Sequence, residues 1–258
     1  MNNNQQKGLS IILVLLLLPI WEAIRIFANI SPMLMPALHQ IGESLLHDLI
    51  HGELLLNILT SFCYIFLGIS IACVFCLLSL VLSHKCPILK ESIQLLAAIF
   101  HPLPGIALLP IIILWAGIGA KAITLIILHS VFWPMLTNLQ TGIAAIPRNW
   151  KMIAENYAIR STPYLLSIAI PAASPHLIAG LKIAWSRAWR ALITAEMLFG
   201  AVSGAGGLGW YIQSKRVFMD TAGLFAGIIA IMISGSLVEY FLFSALEKRT
   251  IKKWGMHT

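Results

Sequence analysis

The sequence predicts an all-α membrane protein with six spanning helices and both termini on the cytoplasmic side. Three observations predict it. The 258 residues are 59% hydrophobic and only 10% charged, with a mean hydropathy of +0.88. Soluble domains carry about 25% charged residues, so this chain lacks the solvated groups to coat a soluble globular enzyme, and its hydrophobicity excludes disorder. The apolar residues gather into six runs, each near the roughly 20 residues a helix needs to cross hydrocarbon. The basic residues, finally, are spread unevenly between the connections.

The first span runs from Leu9 to Phe27. Lys7 ahead of an apolar run resembles a secretory signal, but no small-x-small cleavage site follows and Trp21, Glu22 and Arg25 do, so the segment reads as an uncleaved anchor. The second span is Leu54 to Leu82 and holds three of the four cysteines, Cys63, Cys73 and Cys76; Cys86 lies just beyond it. A metal at Cys73-x-x-Cys76 would require charged thiolates in hydrocarbon and two further ligands, so these read as small buried hydrophobes. The third span extends from about Ile93 to Ala116 and is interrupted by Pro102, Pro104 and Pro110. The fourth is about Ala122 to Leu139. The fifth follows Pro175 and ends near Phe199, with Ser174 as its N-cap and Pro175 as its first residue. The sixth is about Thr221 to Leu246. No alternating strands occur, which excludes a barrel.

Residues 1–8 then form a cytoplasmic N-terminus, 9–53 the first span with an external loop, 54–250 a core with a cytoplasmic loop at 140–170, and 251–258 a cytoplasmic tail. In this topology the inside segments hold Lys7, Lys85, Lys90, Arg148, Lys151, Arg160, Lys248, Arg249, Lys252 and Lys253. The outside segments hold only Lys121, Lys215 and Arg216. The net charge of +7 therefore reads as membrane topology, not as a nucleic-acid surface; no interleaving of basic and aromatic residues suggests base stacking. The external loop carries His39, Glu43, His47, Asp48, His51 and Glu53. His47 and His51 share a helix face, yet no fixed third ligand accompanies them, so the segment reads as a solvated amphipathic helix and no metal site is assigned.

No catalytic signature is present. There is no G-x-x-x-x-G-K-[ST], so the chain does not hydrolyse a nucleotide by that route. The run Gly204 to Gly209 follows a spanning helix, where a dinucleotide fingerprint would need a strand, and reads as a tight turn. No H-E-x-x-H or G-x-S-x-G occurs. The informative residues lie in spans three and five. In span five, Lys182, Trp185, Trp189, Leu192 and Glu196 fall on one helical stripe, and Gly180, Ala184, Ala188, Ala191 and Ala195 supply surfaces for close helix approach. Ionisable residues inside a span cost roughly 2.5–3.5 kcal/mol each, so Arg187, Arg190 and Glu196 face protein or a water-filled path. Two readings stand: they line or gate a solute route, or they neutralise one another and satisfy backbone carbonyls. Lys182, near the inner end, snorkels. In span three, His101-Pro102-Leu103-Pro104-Gly105 interrupts the helix; such breaks either line cavities or form passive kinks.

Four stretches together resemble a known family: His101-Pro102-Leu103-Pro104 through Pro110 and Leu114 to Gly119; Ile170-Pro171-Ala172-Ala173-Ser174-Pro175; Gly180-Leu181-Lys182 through Trp189-Arg190 and Ala195-Glu196-Met197-Leu198; and Gly206 to Ile212. They resemble the inner-membrane permease subunits of bacterial ABC importers, within the binding-protein-dependent permease superfamily, and are most similar to its nitrate/sulfonate/taurine branch. The resemblance covers about residues 55–250. It implies the MetI-like fold of type I ABC importers in a bacterial inner membrane. It also implies two cytoplasmic ABC ATPase subunits that bind ATP and magnesium, a second permease subunit forming a homodimer, and a periplasmic or lipid-anchored solute-binding protein. No cofactor is implied in this chain, and the cargo implied is a small anion. His101, Pro102, Pro104, Arg187, Arg190 and Glu196 are the candidate pathway residues.

Family members carry a short coupling helix in the long cytoplasmic loop, with a Glu-Ala-Ala, then a Gly, then a closing Leu-Pro. Counting back from Pro171 at the family spacing places Ala158 at the glycine and Met152 at the glutamate, with Ile153 and Ala154 at the alanines. Glu155 does not occupy the glutamate position. The resemblance thus assigns residues 150–165 as the docking helix, with Trp150, Ile153 and Tyr157 as an apolar anchor and Ala154, Glu155, Ala158 and Pro171 completing the set. The alternative is an amphipathic helix lying on the inner leaflet. The rival functions are an ion-gradient-driven secondary transporter, with Glu196 as its coupling acid, and a membrane protein without transport activity. A reporter active only in the cytoplasm, fused after Thr258, is expected to be active; an inserted but silent fusion would mean an odd number of spans.

Overall fold

The computed structural model describes residues 9, 12, 13, 15–159, 161–200 and 206–250. The expected N-terminal segment 1–8 and tail 251–258 lie outside them. Among the described residues every regular element is helical. The helices are α1 (Leu17–Phe27), α2 (Leu38–Ile50), α3 (Leu54–Lys85), α4 (Pro87–Phe100), α5 (Leu109–Ala116), α6 (Ala120–Ala144), α7 (Arg148–Asn156), α8 (Ser174–Phe199), α9 (Leu208–Val217) and α10 (Thr221–Val238). A helical lead-in over 161–172 precedes α8, and α10 continues through a π-helical turn, Glu239–Phe243, into Ser244–Arg249.

Three helices are long and apolar enough to cross a membrane, and two bent helix pairs pass as single interrupted spans, giving up to five among the described residues. The 32 residues of α3 reach about 48 Å, more than the roughly 30 Å hydrocarbon core. Of the expected first span, α1 accounts for 11 residues; Leu9, Ile12, Leu13 and Leu15 ahead of it are helical as well, with the Leu16 N–H donating to the Ile12 carbonyl at 2.9 Å and the Ile20 N–H to the Leu16 carbonyl at 3.3 Å, and residues 10, 11 and 14 lie outside the described ones. Trp21 ties α1 to the bundle, donating to the Pro36 carbonyl at 3.1 Å and packing edge-on against Phe225 at 5.1 Å. Glu22 pairs with Arg25 at 2.6 Å and accepts from the Leu38 N–H, which opens α2.

Two expected boundaries shift. Span three begins at Pro87, not Ile93, because extended Cys86 lets Pro87 take the first helical turn. Its interruption falls at His101–Pro104, and the two halves meet at 93°. Pro110 does not break a helix; it sits in the first turn of α5, where its missing N–H is no loss. Span five begins with a bend of 69° between the lead-in and α8. The chain is already helical there, so the Ala173 carbonyl accepts from Leu177 and no side chain caps the end. Ser174, expected as the cap, is buried with its hydroxyl unpartnered.

The core lies where α3, α6 and α8 meet. Ile65 and Cys76 of α3, Ile123, Ile127, Leu136 and Leu139 of α6, and Trp185 and Leu192 of α8 are buried together. The expected small-residue face is what permits this: Gly180, Ala184, Ala188 and Ala195 are buried along α8 against α6, the most extensive helix pair. A Cβ on Gly142 would lie 2.6 Å from the His176 Cβ, so close approach has replaced side-chain bulk. Phe62 of α3 stacks on Trp185 and packs against Trp189 of α8 at 6.1 and 5.6 Å. Outward residues such as Leu55, Leu59 and Leu78 stay exposed, as a lipid-facing surface requires. Lys182 pairs with Glu247 of the terminal segment, where snorkelling was expected.

Candidate functional site

The interruption of span three opens on a cavity of about 440 Å³. His101, Pro102 and Pro104 form one wall, and Arg187 and Arg190 of α8 another. Five of the six expected pathway residues thus come together. Arg187 Nη2 lies 3.4 Å from His101 Nε2. Among the described residues no carboxylate pairs with either arginine. The sequence reading missed His129, Ser130 and Trp133 of α6, and Thr194 of α8, which also line the cavity. Thr194 was legible as the next turn of the Arg187 and Arg190 face; the α6 residues carried no signal beyond Pro134 within the helix. Phe100 stacks on Trp133, with centroids 5.4 Å apart and planes 8° apart.

Glu196 lies elsewhere. It is 2% exposed, does not line the cavity and pairs with neither arginine. The Ser61 hydroxyl of α3 lies 3.0 Å from both its oxygens, and the Gly209 N–H donates to Oε2 at 2.9 Å. The Leu208 N–H in turn donates to Ser61 Oγ at 2.9 Å. The Glu196 carboxyl therefore sits at the positive N-terminus of α9, where it takes the Gly209 N–H and Ser61 takes that of Leu208. Glycine is required here for contact: a Cβ on Gly207 would strike the Glu196 carboxyl, and one on Gly209 the Ile193 carbonyl. Of the run expected to form a tight turn, Gly204 and Ala205 lie outside the described residues; Gly207 and Gly209 seat this carboxyl.

At the opposite end of the bundle, α7 and the Tyr157 that follows it present Trp150, Ile153 and Tyr157 at 46%, 53% and 78% exposure, with Ala154 buried. Glu155 and Lys151 form an exposed pair at 3.9 Å, a geometry that adds little stability. The expected single helix over 150–165 stops at Asn156. Ala158 takes the left-handed conformation, with φ of 56°. The Ile159 N–H reaches the Ala154 carbonyl and the Ala158 N–H the Glu155 carbonyl, each at 2.9 Å. This closes the helix in the motif that favours glycine at the Ala158 position. The connection is correspondingly shorter than 140–170, since α6 persists to Ala144. Pro171 belongs to the lead-in to α8 and not to the exposed segment.

The sequence profile of the binding-protein-dependent transport system inner membrane components matches residues 49–252. The chain belongs to this family. It is 26% identical over 251 residues to the taurine transport system permease protein TauC of Escherichia coli K12, covering 95% of this chain and 90% of that one. A Bacillus subtilis permease named for aliphatic sulfonates transport, SsuC, is 28% identical over 64% of this chain and 56% of its own. The nitrate import permease protein NrtB of Leptolyngbya laminosa is 28% identical over 55% of this chain and 49% of its own. As a transport permease component the chain is not itself an enzyme.

The permease carries a second polar cluster, on the α2/α9 end, that the sequence reading took for a solvated face. Asp48 Oδ2 accepts from the Tyr211 hydroxyl at 2.5 Å and pairs with Lys215 Nζ at 2.6 Å. Lys215 also pairs with Asp220 at 2.9 Å, and Asp220 caps α10 through the Gly223 N–H. The missed signal was Asp48 sharing a helical face with buried Ile41. His47 and His51 stand 5.8 Å apart; no group of three or more metal-ligating side chains occurs among the described residues. Burial would raise the Asp48 carboxyl, but hydrogen bonds from Lys215, Tyr211 and His47 outweigh it and hold it below the ordinary carboxylate range. A depressed carboxylate contributes stability that is present above its ordinary value of about 3.9 and lost as pH falls through the lowered one. The thermal midpoint of the purified protein is expected to fall on acidification below about pH 4. Asp48→Asn is expected to start lower and to lose part of that acid dependence; an unchanged acid profile in the variant would count against the cluster.

Proposed function

We propose that this chain is the membrane-spanning permease subunit of an ATP-binding-cassette importer that moves a small anionic solute across a bacterial inner membrane. It crosses six times with both termini cytoplasmic, the first span being Leu9 to Phe27, which ends in α1. Two copies enclose the route. Two separate cytoplasmic ATPases bind ATP and magnesium and dock on α7. An external binding protein, periplasmic or lipid-anchored, delivers the solute. The observation that carries this reading is the polar cavity at the broken span, holding two arginines that pair with no carboxylate among the described residues, in a member of this family. Fixed positive charge of this kind suits an anion, and taurine, aliphatic sulfonates and nitrate recur in the relatives' names.

The exposed apolar face of α7 supports the docking role, because Trp150, Ile153 and the adjoining Tyr157 form an anchor that is left exposed among the described residues. The position of Glu196 weighs against an ion-gradient mechanism. Its coupling acid would be a carboxylate already engaged by Ser61 and Gly209. In vesicles holding the permease with the ATPase that co-purifies and the cognate binding protein, uptake is expected to require ATP. Ala158→Arg is expected to abolish uptake and solute-stimulated ATP hydrolysis while membrane insertion stays intact. The position already holds an exposed non-glycine residue at positive φ, so the change adds bulk at the docking face and no new backbone strain. Undiminished uptake in the variant would remove the docking assignment, and uptake in vesicles without any ATPase would remove the importer reading.

A further inference from the structure

The cavity at the span break is divided by chemistry. One side is cationic and polar: Arg187, Arg190 and Thr194 project from one face of α8, with His101 opposite. The other is the stacked pair of Phe100 and Trp133, which joins the end of α4 to α6. Further polar atoms are left over. His101 Nδ1 and both ring nitrogens of His129 are buried with no hydrogen-bond partner among the described residues, and such groups call for an explanation in a folded protein. The cavity volume of about 440 Å³ falls in the range of roughly 300–1,000 Å³ typical of small-molecule sites.

A bare inorganic oxyanion such as nitrate or bicarbonate matches only half of this. Its oxygens lie in one plane around a single central atom, and it has no hydrocarbon surface to lay on the aromatic pair. We infer that the cavity is a binding site for an organic anion, with an oxygen-bearing head held by Arg187 and Arg190 and a short apolar body packed on Phe100 and Trp133. The assignment rests on the permease reading and narrows its solute from small anions in general to this class. Guanidinium groups bind the flat or tripodal oxygen face of the head through several N–H donors at once. The carbons of the body gain by leaving water for the aromatic wall.

Titration calorimetry on the full-length permease in nanodiscs, with butanesulfonate, nitrate and bicarbonate as probes, tests this. Butanesulfonate is expected to bind at least about tenfold more tightly than either inorganic anion, from the burial of its methylenes. Arg187→Gln and Arg190→Gln are each expected to weaken butanesulfonate about ten- to a hundredfold. Trp133→Leu is expected to weaken it more than it weakens nitrate, and Trp133→Phe, which keeps a ring opposite Phe100, to restore it. Nitrate or bicarbonate binding as tightly as butanesulfonate would overturn the inference, as would a Trp133→Leu variant of unchanged preference. Binding of none of the three probes by a permease that still supports ATP-driven uptake would overturn the site while leaving the importer function standing.

Discussion

Backbone polar groups inside a bilayer have no water to turn to, and each one left unpaired costs several kcal/mol. The architecture is organised around the place where this rule is under most strain. His101–Pro104 interrupts a span with two residues that have no N–H to donate and leaves helix ends on either side. Such backbone is tolerated only when covered by protein or opened to a polar space. Here both conditions hold. Gly105 packs so tightly on α6 that an added Cβ would strike the Ser130 hydroxyl, and the remaining side faces the arginine-lined cavity. The long buried contact between α6 and α8 holds the two walls of that cavity in place.

The ionisable residues of the bundle divide by how their charge is compensated. Glu196 is enclosed, and its carboxyl is met by an O–H and a helix N-terminus. Asp48, Lys215 and Asp220 compensate one another at the other end of α9. Together these fasten both ends of α9 to α2, α3 and α8, so the short helix is tied to the bundle it caps. Arg187 and Arg190 have no such internal settlement among the described residues. A charge costs roughly 2.5–3.5 kcal/mol to place in a span, so two uncompensated neighbours call for water or an anion. That contrast separates a structural carboxyl from the two cavity-lining arginines on one and the same helix.

Much of this was legible in the sequence. The apolar runs of α3, α6 and α10 announce spans because length and hydropathy decide them. The small-residue face of α8 announces close packing, and Pro102 and Pro104 announce a break. What was not legible depends on the third dimension. Glu196 and Arg190 lie within a few residues of each other, yet one faces α3 and α9 and the other the cavity; the sequence contains no record of which neighbour each meets. The early end of α7 hinges on Ala158 adopting a left-handed conformation, for which alanine carries no signal as glycine would. Phe100 and Trp133 come from separate helices and meet only because the break swings α4 away from α5. Ser174 has the composition of a cap but not its role, because the preceding chain is already helical.

The central claim is that the space beside the interrupted span is a watered route and not a lipid-sealed kink. Replacing the four native cysteines and introducing single cysteines at Ser130 and Thr194 in the cavity, with Leu125 as a control outside it, allows a direct reading with a membrane-impermeant thiol reagent. Labelling at Ser130 and Thr194 but not at Leu125, with blocking by a bound organic anion, is the result this account predicts. Cavity positions as unreactive as Leu125 in every nucleotide state of the assembled transporter would contradict it.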